Sequence, residues 1–217
     1  MNFVIRSCLG NRDPRSPEAR QRCGTLAGGV GILLNLLLFL AKLIAGLAAS
    51  SVAMVADAVN NLSDAAASVV TLVGFRLAGQ AADADHPFGH GRIEYVSGLI
   101  VSLAILLMGF EIGRSSVEAL FEQREIDFSP VSLVILCAAI GVKLWMFWFN
   151  RSLGRAIGSA AMEATAADSL SDAASTGVVL LSTLAGHFWN LRVDGLAGLL
   201  VAAFILKTGW DAAKDTL

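Results

Sequence analysis

The stretch Ala56–Ser68, A-D-A-V-N-N-L-S-D-A-A-A-S, decides how the chain is read. It lies inside a long apolar segment, yet it carries Asp57, Asn60, Asn61 and Asp64 at spacings of i, i+3, i+4 and i+7. That spacing predicts one polar face on a helix. A carboxylate at the centre of a membrane helix costs about 2.5–3.5 kcal/mol on insertion scales, so it needs a partner, a proton or a metal. A second copy follows more than a hundred residues later: Asp168–Ser175 reads D-S-L-S-D-A-A-S. The pentapeptide L-S-D-A-A recurs unchanged, and an oxygen-bearing side chain stands four residues before the Asp in each copy. Two helices thus each present an i, i+4 pair, Asn60 with Asp64 and Asp168 with Asp172. Four such side chains on facing helices suffice for a four-coordinate cation site.

The surrounding composition places these helices in a bilayer. The chain of 217 residues is 55% hydrophobic and 16% charged, with a mean hydropathy of +0.66. Soluble domains are nearer a quarter charged. The expected class is an all-α integral membrane protein with six transmembrane helices. No basic patch with interleaved aromatics suggests a nucleic-acid partner. Cys8, Cys23 and Cys137 lack metal-binding or redox spacing. No Ser/His or H-E-x-x-H constellation suggests an enzyme.

Residues 1–23 are expected to form a polar cytoplasmic arm in which Pro14 and Pro17 prevent a long helix. Residues 24–217 form the membrane domain. Its spans are expected near 25–47, 52–77, 93–117, 130–149, 159–185 and 194–208, with short loops between them, including a basic one over 150–158. Ser129-Pro130 reads as an N-cap followed by a proline at the first helical position. Six spans put both termini on one side. That side receives eleven Lys and Arg against three opposite, so both termini are expected in the cytoplasm. Lys42 and Lys143 fall within spans and are expected to snorkel or pair.

The loop between spans two and three reads D-x-D-H-P-F-G-H-G-R over 83–92. Six spans, a polar i, i+4 pair in span two, another in span five and this loop together resemble the cation diffusion facilitator family. The resemblance implies a homodimeric metal/proton antiporter in the cytoplasmic (inner) membrane, alternating between inward-open and outward-open states. The Asn-x-x-x-Asp and Asp-x-x-x-Asp pairs resemble its manganese branch, with iron as a further possibility, whereas zinc exporters usually carry His in the quartet. Members usually continue into a C-terminal cytoplasmic domain; here residues 24–217 are expected to lack one. The resemblance also implies a second, peripheral metal site at Asp83, His86 and His90 and a dimer contact at Arg92. A polar turn whose histidines cap the helix ends explains the same loop.

The residues point toward similar chemistry. Asn60, Asp64, Asp168 and Asp172 offer only oxygen donors, which suit hard cations, whereas imidazole and thiolate favour Zn²⁺ and copper. Mn²⁺ is the first choice of cargo and Fe²⁺ or Zn²⁺ the alternative; Mg²⁺ sheds water reluctantly. Three clustered carboxylates in a dry site are expected to share protons that a cation displaces, which would couple metal efflux to proton entry. Asp57, Asn61 and Ser171 are read as pathway or neighbouring groups. The rival reading is a non-transporting assembly subunit, in which these groups only hydrogen-bond helices together.

Overall fold

A computed structural model describes residues 13–14, 16–48, 52–80, 87, 89–121, 130–189 and 194–216. Among them, six helices follow one another: α1 (Pro17–Ala48), α2 (Val52–Ala78), α3 (Arg92–Phe121), α4 (Pro130–Ile157), α5 (Ala160–Trp189) and α6 (Asp194–Thr216). The class is all-α, as expected. By length and composition α1, α3, α4 and α6 can each cross a membrane. The other two, α2 and α5, carry the acidic motifs. Leu33, Leu37, Ile44, Leu107, Phe110 and Leu200 are all exposed; on an assembly of helices this apolar, such an outer surface faces lipid.

Several helices outrun the expected spans, for identifiable reasons. Pro17 starts α1 and does not break it. Ser16 caps the helix, its Oγ accepting from the Ala19 N–H at 3.3 Å, and a proline at the first helical position surrenders no needed donor. Residues 150–157 form the last two turns of α4, not a basic loop. Phe149, Leu153 and Ile157 recur at i, i+4 and i+8 and are buried against Ala161 and Met162 of α5. Gly158, at φ +64°, then ends α4. The Ser159 N–H returns to the Gly154 carbonyl at 3.0 Å, the six-to-one bond of a glycine-terminated helix. Ser159 in turn caps α5, accepting from the Met162 N–H at 3.2 Å. One glycine and one serine therefore turn the chain from α4 into α5. Pro130 opens α4 where the sequence predicts it.

The helices pair most extensively as α1 with α2, α3 with α6, and α4 with α5. Small residues permit the close approach. A side chain on Gly28 would run into Leu72, whose Cα would lie 2.9 Å from the added carbon. By contrast, α2 and α5 touch each other directly over only a short stretch. The site lies in the seam between them.

Candidate metal centre

Helix α2 presents Asp64 because its buried arc runs through Ala58, Asn61, Asp64, Ala65, Ser68, Thr71 and Phe75, a mixture of three- and four-residue steps. Helix α5 presents Asp168 and Asp172 one turn apart. A carboxylate oxygen from each of these three residues lies within 4.8 Å of the others, and all three are buried. The repeated L-S-D-A-A motifs thus converge from helices that run in opposite directions.

A fourth charged group meets the three carboxylates, and it is a cation. Lys143, midway along α4, donates from Nζ to Asp64 Oδ2 at 2.7 Å and to Asp172 Oδ2 at 2.5 Å. Its side chain is 4% exposed, against 5% and 3% for the two carboxylates. Lys143, expected to snorkel or pair, pairs, and within the site. A lysine thirteen residues into an apolar helix was the available signal. What sequence could not show was the turn of α4 toward the α2–α5 seam. Lys42 is also paired, with Asp57 Oδ2 at 2.8 Å, which ties α1 to α2 one turn and more beyond the cluster.

Asn60, one turn before Asp64 on α2, differs from the three carboxylates in being exposed, while its neighbour Asn61 is buried and donates from Nδ2 to the Asp57 carbonyl at 2.9 Å. Asn60 nevertheless belongs to the stripe of α2 that faces α5. Eleven residues on, after three turns, Thr71 returns to within about 20° of the same direction. Thr71 Oγ1 meets Thr165 Oγ1 of α5 at 3.2 Å. Along this stripe Asn60 and Ser63 are exposed, Ala67 is half-buried, and Thr71 is buried. The stripe is therefore exposed at its Asn60 end, the open end, and packed on α5 at its Thr71 end, the shut end.

Three layers close the shut end. The Thr71–Thr165 hydrogen bond comes first. Phe75 follows, buried with Cys23, Leu153, Ile157 and Met162 from three other helices. Beyond it lies buried Glu94, near the start of α3. Glu94 accepts from Arg20 Nε at 3.1 Å and Nη2 at 2.8 Å, and from Ser159 Oγ at 2.5 Å. Arg20 Nη2 also donates to the Gly158 carbonyl at 3.3 Å. One ion pair thus joins α1, α3 and the α4–α5 turn. The start of α1 and the end of α6 both lie on this side, since Arg20 meets Glu94 and Thr216 packs against Gly98. In the sequence Arg20 is one basic residue among several in the arm, and Glu94 belongs to no motif.

Ser171 is fully buried, with no hydrogen-bond partner on its Oγ. Asp57 is partly exposed and bonded to Lys42. Arg92 is exposed at the first position of α3. His90 is half-buried before that helix, its carbonyl accepting from the Ile93 N–H. Asp83 and His86 lie outside the described residues, so the peripheral metal site is not among the geometry described here.

A buried carboxylate triad between two helices has the donor chemistry of a cation site. Residues 30–217 match the cation efflux transmembrane domain. The chain belongs to the cation efflux family. That family is one of metal transporters, not enzymes, and its members cross the membrane several times. Relatives include the manganese efflux system protein MneS of Bacillus subtilis, 32% identical over 86% of this chain and 64% of its own length. An uncharacterized transporter of Methanocaldococcus jannaschii is 31% identical over 84% of this chain and 64% of its own. Metal tolerance protein C1 of Arabidopsis thaliana is 30% identical over 87% and 43%. The chain thus spans less than two thirds of the length of these relatives.

Proposed function

We propose that the chain carries a divalent metal cation out of the cytoplasm in exchange for protons, with Mn²⁺ as the preferred cargo. The observation that carries this reading is the convergence of Asp64, Asp168 and Asp172 in a buried seam, with the α2 stripe exposed on one side of it and packed on α5 on the other. A transporter needs a site reached from one side at a time. The three Asp bind the cation, and Asn60, facing the same seam from its open end, supplies a fourth oxygen as the outer ends of α2 and α5 approach. The donor set favours Mn²⁺ over Zn²⁺ relative to a site containing imidazole, and the similarity to a manganese efflux protein supports that order. The cation and protons compete for the same carboxylates, so loading one releases the other. On this reading the termini and the Arg20–Glu94 end face the cytoplasm, in keeping with the distribution of Lys and Arg, and the protein works as a homodimer.

The test is metal flux into proteoliposomes across an imposed pH gradient, with Mn²⁺, Fe²⁺, Zn²⁺ and Mg²⁺ compared for the wild-type chain and Asp64→Ala. Saturable Mn²⁺ flux that follows the gradient and vanishes in the variant is expected. Zinc flux exceeding manganese would reassign the cargo, and no flux of any metal would sink the proposal.

A further inference from the structure

We infer that Lys143 is a tethered competitor for the cargo: its ammonium and the divalent cation exchange for the carboxylates of Asp64 and Asp172. The inference rests on the proposed transport function and adds a residue to it that the acidic motifs do not contain.

Lys143 Nζ donates to Oδ2 of Asp64 and Oδ2 of Asp172, one on each of the two helices that form the seam. A first-row divalent cation binds carboxylate oxygen at about 2.0–2.2 Å. A cation sharing either oxygen with Nζ would lie at most roughly 5 Å from the ammonium. All three carboxylates lie within 4.8 Å of one another, so no part of the triad is remote from Lys143. Like charges at that separation in a water-poor site repel strongly. The lysine cannot leave its helix, but its four-carbon stem can swing. Cargo entry therefore displaces the ammonium from the shared oxygens, and the ammonium's return helps expel the cargo.

The surroundings offer the displaced group somewhere to go. Asn61 is buried on the same face of α2 as Asp64, and its Oδ1 accepts no hydrogen bond from the protein. Asn35 of α1 holds another such oxygen. Its amide donates to Ser68 Oγ, which in turn donates to the Asp64 carbonyl. These acceptors lie along the polar interior that adjoins the triad. Asp172 Oδ1 likewise lacks a partner, leaving a second oxygen on that residue for the cation.

Two roles for Lys143 make opposite forecasts. A lysine that merely positions the carboxylates would, when removed, loosen the site and weaken metal binding. A competitor, when removed, tightens binding and slows release. Mn²⁺ binding to the full chain in lipid nanodiscs is measured by equilibrium dialysis for wild type, Lys143→Met, Lys143→Gln, Lys143→Arg and Asp172→Asn. Thermal melting without added Mn²⁺ identifies the folded variants. Lys143→Met and Lys143→Gln are expected to bind Mn²⁺ at least about tenfold tighter than wild type, and Lys143→Arg no tighter. Because affinity gains reside mainly in dissociation, the neutral variants' maximal Mn²⁺ flux is expected to fall while their half-saturating concentration also falls. Equal or weaker binding in a folded neutral variant, or tighter binding in Lys143→Arg, would overturn the inference. The parent reading fails separately: wild type and Asp172→Asn would then be indistinguishable in Mn²⁺ binding.

Discussion

The two ends of the α2–α5 seam are built from different materials. At the end where α1 starts and α6 finishes, a hydrogen-bonded threonine pair, an aromatic cluster and a buried ion pair lie in succession. At the other end, the same stripe of α2 shows Asn60 and Ser63 exposed, and the ion pair there, Lys42 with Asp57, ties α1 to α2 and not α2 to α5. The carboxylates and Lys143 lie between. The contrast teaches where the energy of a conformational change is stored. The open end gains by acquiring contacts, whereas the shut end must break them. Glu94 is the costliest member to disturb, because it is buried and takes donors from Arg20 and Ser159. Removing one partner of such a pair leaves the other charge without compensation.

The largest effect on this contrast is expected from Glu94→Ala. Cys23 is fully buried in the aromatic layer and serves as a native reporter. With Cys8 and Cys137 replaced by Ser, the rate at which a maleimide modifies Cys23 reads how often the shut end opens. Glu94→Ala is expected to raise that rate by at least about tenfold. That corresponds to roughly 1.4 kcal/mol, below the range for a fully buried charge pair because Arg20 is partly exposed. An unchanged rate would mean that the ion pair ties three helices without sealing the seam.

Much of this arrangement was legible in the sequence, and the missing part has a common cause. The paired L-S-D-A-A motifs marked the two helices of the site, since an acid in an apolar segment needs a reason. Pro130 marked the start of α4. Lys143 and Glu94 were visible as charges near or within apolar helices, but a charge does not announce its partner. Lys143 reaches acids 79 and 29 residues away, and Arg20 reaches one 74 residues away. Such pairs depend on helix rotation and topology, which local periodicity does not encode. The helix ends differ from expectation for a different reason. Arg151 and Arg155 suggested a loop because they are basic, yet the Phe149, Leu153 and Ile157 repeat on the opposite face carries α4 two turns further.

An intermediate effect is expected at the open end. Asn60→Ala removes a neutral oxygen that faces the seam, and ligand charge count governs affinity more than ligand number alone. Mn²⁺ binding is expected to weaken by about three- to tenfold, with Cys23 reactivity unchanged. That pattern would separate the two ends cleanly: one sets affinity, the other sets access. No loss of Mn²⁺ affinity would reduce the binding set to the three Asp and leave Asn60 as lining of the open end.

The smallest effect is expected from Thr71→Val, which keeps the volume of the side chain but removes the hydroxyl that meets Thr165. Side-chain hydrogen bonds between membrane helices average about 0.6 kcal/mol, which is roughly a threefold change in an equilibrium. Cys23 modification should accelerate by about that factor, because the threonine pair and Phe75 lie on the same closed side of the carboxylates. Combining Thr71→Val with Glu94→Ala then asks whether the layers act as one gate. Independent layers would multiply the two accelerations. A single cooperative gate would show less than the product, since once the ion pair is broken the threonine contact no longer has a closed seam to hold.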